Sequence, residues 1–94
     1  MTDLPSIRAE IKRILVDTLE LDIPPEQIRD NDALFAHGMG VDSAEALEIV
    51  TAVEARFGVT IHEDEIGLGM FQDVSSIAAV VAEALAAAAG TAAP

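Results

Sequence analysis

The chain has 94 residues, enough for one small domain and too few for two, since a chain of this size buries only about 60–65% of the surface it exposes when unfolded. Seventeen residues are alanine and only three are aromatic, with no Trp or Tyr, so the core is aliphatic and modest. Seventeen acidic residues against five basic ones give a net charge of -12, which repels a phosphate backbone and excludes nucleic acid as a partner, while the lack of cysteine excludes disulfides, a thiol nucleophile and thiolate metal sites.

No stretch approaches the roughly 18 uncharged apolar residues of a membrane span, and Asp3, Arg8 and Glu10 interrupt the start where a signal peptide needs an apolar run. The expectation is a cytoplasmic protein with no stable membrane insertion. A domain is expected over residues 1–88, with the alanine-rich end, residues 89–94, as a disordered tail.

The first periodic segment runs from about Pro5 to Leu21, with Ile7, Ile11, Ile14, Leu15 and Thr18 at helical spacing, Arg8, Lys12 and Arg13 turned outward, and Pro24-Pro25 as the stop. From Asp22 to Val41 the composition shifts to Pro, Asp, Asn and Gly around the apolar anchors Ile23, Ile28, Leu34 and Phe35. An ordered loop of that length in a small domain is usually functional. A second helix is predicted from Asp42-Ser43-Ala44-Glu45, where Asp42 and Glu45 have capping-box spacing, to Gly58. Ala46, Ile49, Val50, Val53 and Phe57 cover its inner arc, Glu45, Glu48, Thr51, Ala52 and Ala55 the opposite one, and Leu47 and Glu54 lie at the boundary on the flank of Ser43. A short third helix is expected over His62 to Leu68, although Gly67 and Gly69 are poor helix residues. A fourth follows from about Val74 to Ala88, capped by Asp73 or Ser75. Val59-Thr60-Ile61 could form a strand, but has nothing to pair with. The predicted fold is an all-α four-helix bundle with a long loop between helices 1 and 2 and a short helix 3.

Most site chemistries fail on spacing. Asp30-Asn31-Asp32 suggests a calcium loop, but Leu34 and Phe35 stand at its fifth and sixth positions and Val41 where the bidentate Glu belongs, so it reads as turn chemistry. His62-Glu63 has Ile66 in place of the second histidine of a zinc-protease helix. Gly40-Val41-Asp42-Ser43-Ala44 has neither the Gly after the serine nor the preceding strand of a nucleophile elbow, and His37 is the only nearby base. The carboxylates read as a solvated face rather than an acid/base dyad, so an enzyme is disfavoured.

What remains is Ser43, preceded by Gly38-Met39-Gly40 and placed at the first turn of the best-formed helix. The unpaired N–H groups and positive dipole end there favour a negatively charged group such as a phosphodiester on its hydroxyl. A plain capping role fits that local chemistry equally well.

Gly40-Val41-Asp42-Ser43-Ala44-Glu45-Ala46-Leu47-Glu48 resembles the signature of the acyl carrier proteins, an Asp-Ser pair after a Gly-containing loop that opens an acidic amphipathic helix. The likeness extends through the first helix, Leu34-Phe35 of the loop, Val53-Glu54-Ala55-Arg56-Phe57-Gly58-Val59, Ile61-His62-Glu63-Asp64-Glu65 and the last helix, covering nearly all of Ile7 to Leu85. It implies that a phosphopantetheinyl transferase (holo-acyl-carrier-protein synthase) moves 4′-phosphopantetheine from coenzyme A onto Ser43, beside Asp42. The arm then carries acyl groups as thioesters to acyltransferases, ketosynthases and other acyl-processing enzymes, and the carrier itself, a monomer, catalyses nothing.

Residues 42–65 hold seven acids against Arg56 alone, a net -6 and half of the chain's total. In the family this region is the docking surface for basic patches on partner enzymes. The matching positions are Ala44, Glu45, Leu47, Glu48, Thr51 and Glu54. The resemblance further implies an acyl-chain lining of Leu47, Val50, Ile61, Ile66, Leu68 and Met70, which would be ordinary core when no chain is attached. Ala44 and Thr51 stand where Leu and Met are common in the family, and segment 67–73 is longer and more apolar than usual. Fatty-acid, specialised lipid and polyketide pathways therefore all stay open. The alternatives are an aminoacyl or peptidyl carrier, an unmodified acidic protein-interaction module, and a small hydrolase using Ser43 and His37.

Overall fold

The first helix, α1 (Leu4–Leu19), starts where Asp3 Oδ1 accepts the Ser6 N–H at 2.9 Å and Pro5 occupies the first turn, where its missing N–H costs nothing. Its stripe Ile7, Ile11, Ile14 and Leu15 is buried. The computed structural model describes residues 3–34, 42–67 and 69–92, with the backbone alone at 43, 63 and 89–92. The helix stops before the predicted Leu21 and without the help of Pro24-Pro25. Glu20 takes a left-handed conformation (φ 52°), and the Leu21 N–H reaches back to the Val16 carbonyl at 3.0 Å in a Schellman-type closure.

After α1 the chain makes a single 3-10 turn at Pro25–Gln27 and an aspartate-stabilised turn in which Asp32 Oδ2 accepts the Arg29 N–H at 2.9 Å. Asp30 and Leu34 then fasten this segment to the chain around Gln72 and Ser75. The Asp30 carbonyl accepts the Ser75 N–H at 3.0 Å, and the Leu34 N–H donates to the Gln72 carbonyl at 3.2 Å. Of the loop anchors read from the sequence, Ile28 and Leu34 are buried, Ile23 is exposed, and Phe35 lies outside the described residues.

Helix α2 (Ser43–Phe57) has the predicted bounds, ending on Gly58 in the left-handed conformation (φ 66°) that glycine adopts without a Cβ penalty. Ala46, Ile49, Val50 and Val53 are buried, whereas Phe57 is only half-buried.

The predicted helix 3 reduces to one 3-10 turn, Glu63–Glu65, closed by the Glu65 N–H on the His62 carbonyl at 2.9 Å. A nucleating turn needs further residues to propagate, and Gly67 and Gly69 follow while three consecutive acids crowd the turn itself. The bundle therefore has three α-helices among the described residues, not four, and no strand. Helix α3 (Val74–Ala92) is capped by Asp73, whose Oδ1 accepts both the N–H and the hydroxyl of Ser76 at 2.8 Å. Ser75 instead donates its N–H to Asp30. The helix passes the predicted end at Ala88 because alanine, the best helix former, continues beyond the last core residue. The backbone at 89–92, expected as disordered tail, is thus helical, and 93–94 lie outside the described residues.

Helix α1 packs against both α2 and α3, which touch each other more sparingly, and Ile61, Met70 and Phe71 join the same core. Two ion-pair groups reinforce α1. Lys12 Nζ lies 2.8 Å and Arg8 Nη1 3.9 Å from the Asp30 carboxylate, and Glu10 is shared by Arg13 and by Arg56 of α2. Of the basic residues read as outward-facing, Arg8 and Lys12 thus tie α1 to the segment that follows it, while Arg13 pairs within the helix.

Candidate functional site

Asp42 and Glu45 form a complete capping box at the start of α2. Asp42 Oδ1 accepts the Glu45 N–H at 2.8 Å, and Glu45 Oε1 accepts the Asp42 N–H at 3.2 Å. The Ala46 N–H bonds the Asp42 carbonyl at 2.9 Å, so helical hydrogen bonding begins there. That arrangement puts Ser43 and Ala44 at the first two helical positions, whose N–H groups have no acceptor within the helix and lie at the positive end of its dipole. The first turn can hold a phosphodiester on a serine: donors and dipole favour the anion, and Ala44 beside it is exposed and too small to obstruct. The glycines before the serine and His37 lie outside the described residues.

Beyond the first turn, Leu47, Glu48 and Thr51 form an exposed stripe on α2, with Leu47 58% accessible. The Thr51 hydroxyl donates to the Leu47 carbonyl at 3.1 Å, so it is bonded within the helix. Not every acid of the helix is equally available. Glu45 is tied into the capping box, and half-buried Glu54 accepts the Ile61 N–H through Oε2 at 2.8 Å. Glu48 is the exposed acid of the stripe, its side chain making no hydrogen bond or ion pair to another described residue.

Of the expected acyl-chain lining, Val50, Ile61 and Met70 are buried in one core, and Ile66 packs partly against it. Leu47 does not join them, since it stands one turn from Ser43 on the surface, and Leu68 lies outside the described residues. Phe71, only 1% exposed, is the large core side chain that the helical periodicities do not single out, because it lies in the turns before α3. Among the described residues no group of three potential metal-ligating side chains is gathered, and no helix is long and apolar enough to cross a membrane.

The family model for a phosphopantetheine attachment site matches residues 9–85, which include the capping box and, among the described residues, every buried core side chain but Ile7. Similar proteins include an acyl carrier protein from Petrotoga mobilis, 39% identical over 57 residues, covering 61% of this chain and 64% of the relative. Others are an acyl carrier protein from Nitratidesulfovibrio vulgaris, 32% identical over 60 residues (64% of this chain, 75% of the relative), and one from Buchnera aphidicola, 36% identical over 62 residues (66% and 74%). The chain thus spans slightly less than two thirds of the Petrotoga protein and about three quarters of the other two. The solution NMR structure of a holo acyl carrier protein from Nitrosomonas europaea superposes with a TM-score of 0.76 at 25% identity, covering 84% of this chain and 95% of that one. With a phosphopantetheine-attachment match over most of its length, on a helical fold shared with a holo carrier, the chain belongs to the acyl carrier protein family.

Proposed function

We propose that Ser43 is the attachment point and that the protein carries acyl groups as thioesters on a 4′-phosphopantetheine arm, handing them to enzymes of fatty-acid, specialised lipid or polyketide synthesis. One observation carries the assignment: within the matched region, Ser43 stands at the first helical position directly after the capping Asp42. In the loading step a phosphopantetheinyl transferase joins the Ser43 oxygen to the pantetheine-side phosphorus of coenzyme A. The hydroxyl proton is lost to the transferase, and 3′,5′-ADP leaves. The group supplies the thiol that this cysteine-free chain lacks. The chain's own part is positional, with donors at the first turn of α2 and no catalytic side chain.

The docking surface of this proposal is Ala44, Leu47, Glu48 and Thr51, with Glu45 and Glu54 adding field rather than free side chains. Exposed acids of this kind speed encounter with basic partners and are screened by salt, which suits a shuttle that must release quickly. Transferase, acyltransferases and ketosynthases are the partners proposed, in the cytoplasm, and the carrier domain is assigned to residues 1–88. An acyl chain would enter the core beside Val50, Ile61, Ile66 and Met70.

The test is the intact mass of the protein co-expressed with a phosphopantetheinyl transferase. The expected gain is one phosphopantetheine, abolished by Ser43→Ala; a gain that survives that change, or none in the unaltered chain, overturns the assignment. Loading assays with acyl and aminoacyl donors then separate an acyl from an aminoacyl carrier.

A further inference from the structure

The C-terminal end of α1 is built against its own stability. Asp17 and Glu20 fall at the negative end of the helix dipole, where a cation would be favoured, and the last turn contains no basic residue. Glu20 also takes φ 52°, the one positive φ at a described residue other than glycine, in a closure that Gly or Asn normally fills. Strain of this kind persists where something else requires the residue.

Both carboxylates lie along one open groove between α1 and α2, whose other wall carries Leu47, Glu48 and Thr51. The groove therefore holds an exposed leucine ringed by Asp17, Glu20 and Glu48, all three exposed. Among the described residues no basic side chain pairs with any of these acids; nearby Arg56 is taken by Glu10. Leu47 is four residues, about one turn, from Ser43, so an enzyme reaching for Ser43 on that flank covers the groove next.

We infer that Asp17 and Glu20 extend the docking surface onto α1, and that the occupant of the groove is a basic surface of the phosphopantetheinyl transferase that presents an apolar side chain to Leu47. This rests on the attachment of phosphopantetheine at Ser43. Charge selects the occupant: three uncompensated carboxylates around one apolar contact fit a cationic rim with an apolar centre, and a second copy of this chain, with net charge -12, is repelled.

The experiment measures kcat/KM for modification of the full chain by a purified transferase of the holo-acyl-carrier-protein synthase type, with coenzyme A, at low and high salt. Asp17→Asn and Glu20→Gly are the variants, with Glu83→Gln, an exposed acid of α3 outside the groove, as the control for net charge. Each groove variant should lower kcat/KM about threefold or more at low salt and flatten its salt dependence, while the control does neither. Both should raise the melting temperature, since each relieves an unfavourable feature of α1, and this separates lost docking from lost folding. If the unaltered chain is not modified, the attachment assignment fails and this inference with it. If it is modified and the groove variants keep pace with it, or fall only as far as Glu83→Gln, this inference alone is overturned.

Discussion

Glu54 and Ile61 are joined by a hydrogen bond that folds the chain back along α2: the carboxylate accepts the Ile61 N–H at 2.8 Å, while the Glu54 carbonyl takes the N–H groups of Gly58 and Val59 at 2.9 and 3.2 Å. One residue thereby satisfies three donors after the helix end and fixes a segment that buries Val59 and Ile61. Hydrogen bonds to charged groups contribute about 1.5–3 kcal/mol, so Glu54→Ala should destabilise by about that amount. Glu54→Gln, which keeps an acceptor, should cost less. Urea unfolding gives the magnitude, and amide exchange at Ile61 gives the location; unchanged exchange in Glu54→Ala would show that the bond does not hold the segment.

Phe71, not Phe57, should be the costliest aromatic to truncate. Phe71 is 1% exposed and Phe57 half-buried at the end of α2, although the sequence pattern places Phe57 on the inner arc. Phe71→Ala should cost about 3–5 kcal/mol by cavity formation and lost burial, a large part of the roughly 5–15 kcal/mol available to a domain, and Phe57→Ala distinctly less. Thermal melts of the two variants decide the order, and a lower melting temperature for Phe57→Ala would reverse it.

The features legible in the sequence are those whose partners are close along the chain. The Asp42–Glu45 box spans three residues, Gly58 stops α2 by its own conformation, and the apolar stripe of α1 repeats at helical spacing, so local rules suffice. The Ser43 assignment needs the resemblance to a family, because a serine at a helix start is also an ordinary cap. The Glu54–Ile61 bond spans seven residues without periodicity, and the ties of Asp30 to Ser75 and Leu34 to Gln72 appear only once the chain has folded. Glu20 violates the residue preference for a left-handed closure, so a search for Gly or Pro stops looks past it to Pro24. The run of acids and apolar residues after His62 resembles a third helix until Gly67 and Gly69 are given their full cost.

Asp30 should make the fold sensitive to acid. Its hydrogen bond to Lys12, with the positive field of Lys12 and Arg8, lowers its pKa in the folded state. A carboxylate whose folded pKa is depressed adds stability above its unfolded value, and that stability is lost as pH falls through the folded one. With the Lys12 and Asp30 side chains 20% and 39% exposed the pair is partly screened, so its contribution at neutral pH is about 1 kcal/mol or less. Asp30→Asn should therefore lower the urea midpoint slightly at pH about 7, with the gap to the unaltered protein closing below the ordinary aspartate value of about 4. The Ser75 bond, made by the backbone carbonyl, is unaffected by the change. A gap that persisted undiminished in acid would assign the loss to packing rather than charge.

Salt has two opposing effects on this fold. It screens repulsion among seventeen acids and weakens the pairs Lys12–Asp30 and Glu10–Arg56. Such partly exposed pairs are worth about 1 kcal/mol or less each, whereas the net -12 acts over the whole surface at distances comparable with the Debye length of about 10 Å at 0.1 M. Repulsion outweighs the pairs, so raising NaCl from about 0.01 to about 0.3 M should raise the melting temperature, by roughly 4–8 °C for each 1 kcal/mol gained. The rise should be smaller in Asp17→Asn, which already lacks one of the crowded carboxylates beside α2. A melting temperature that falls with salt would mean that the ion pairs outweigh the repulsion, and the acidic surface would then not be a cost to the fold.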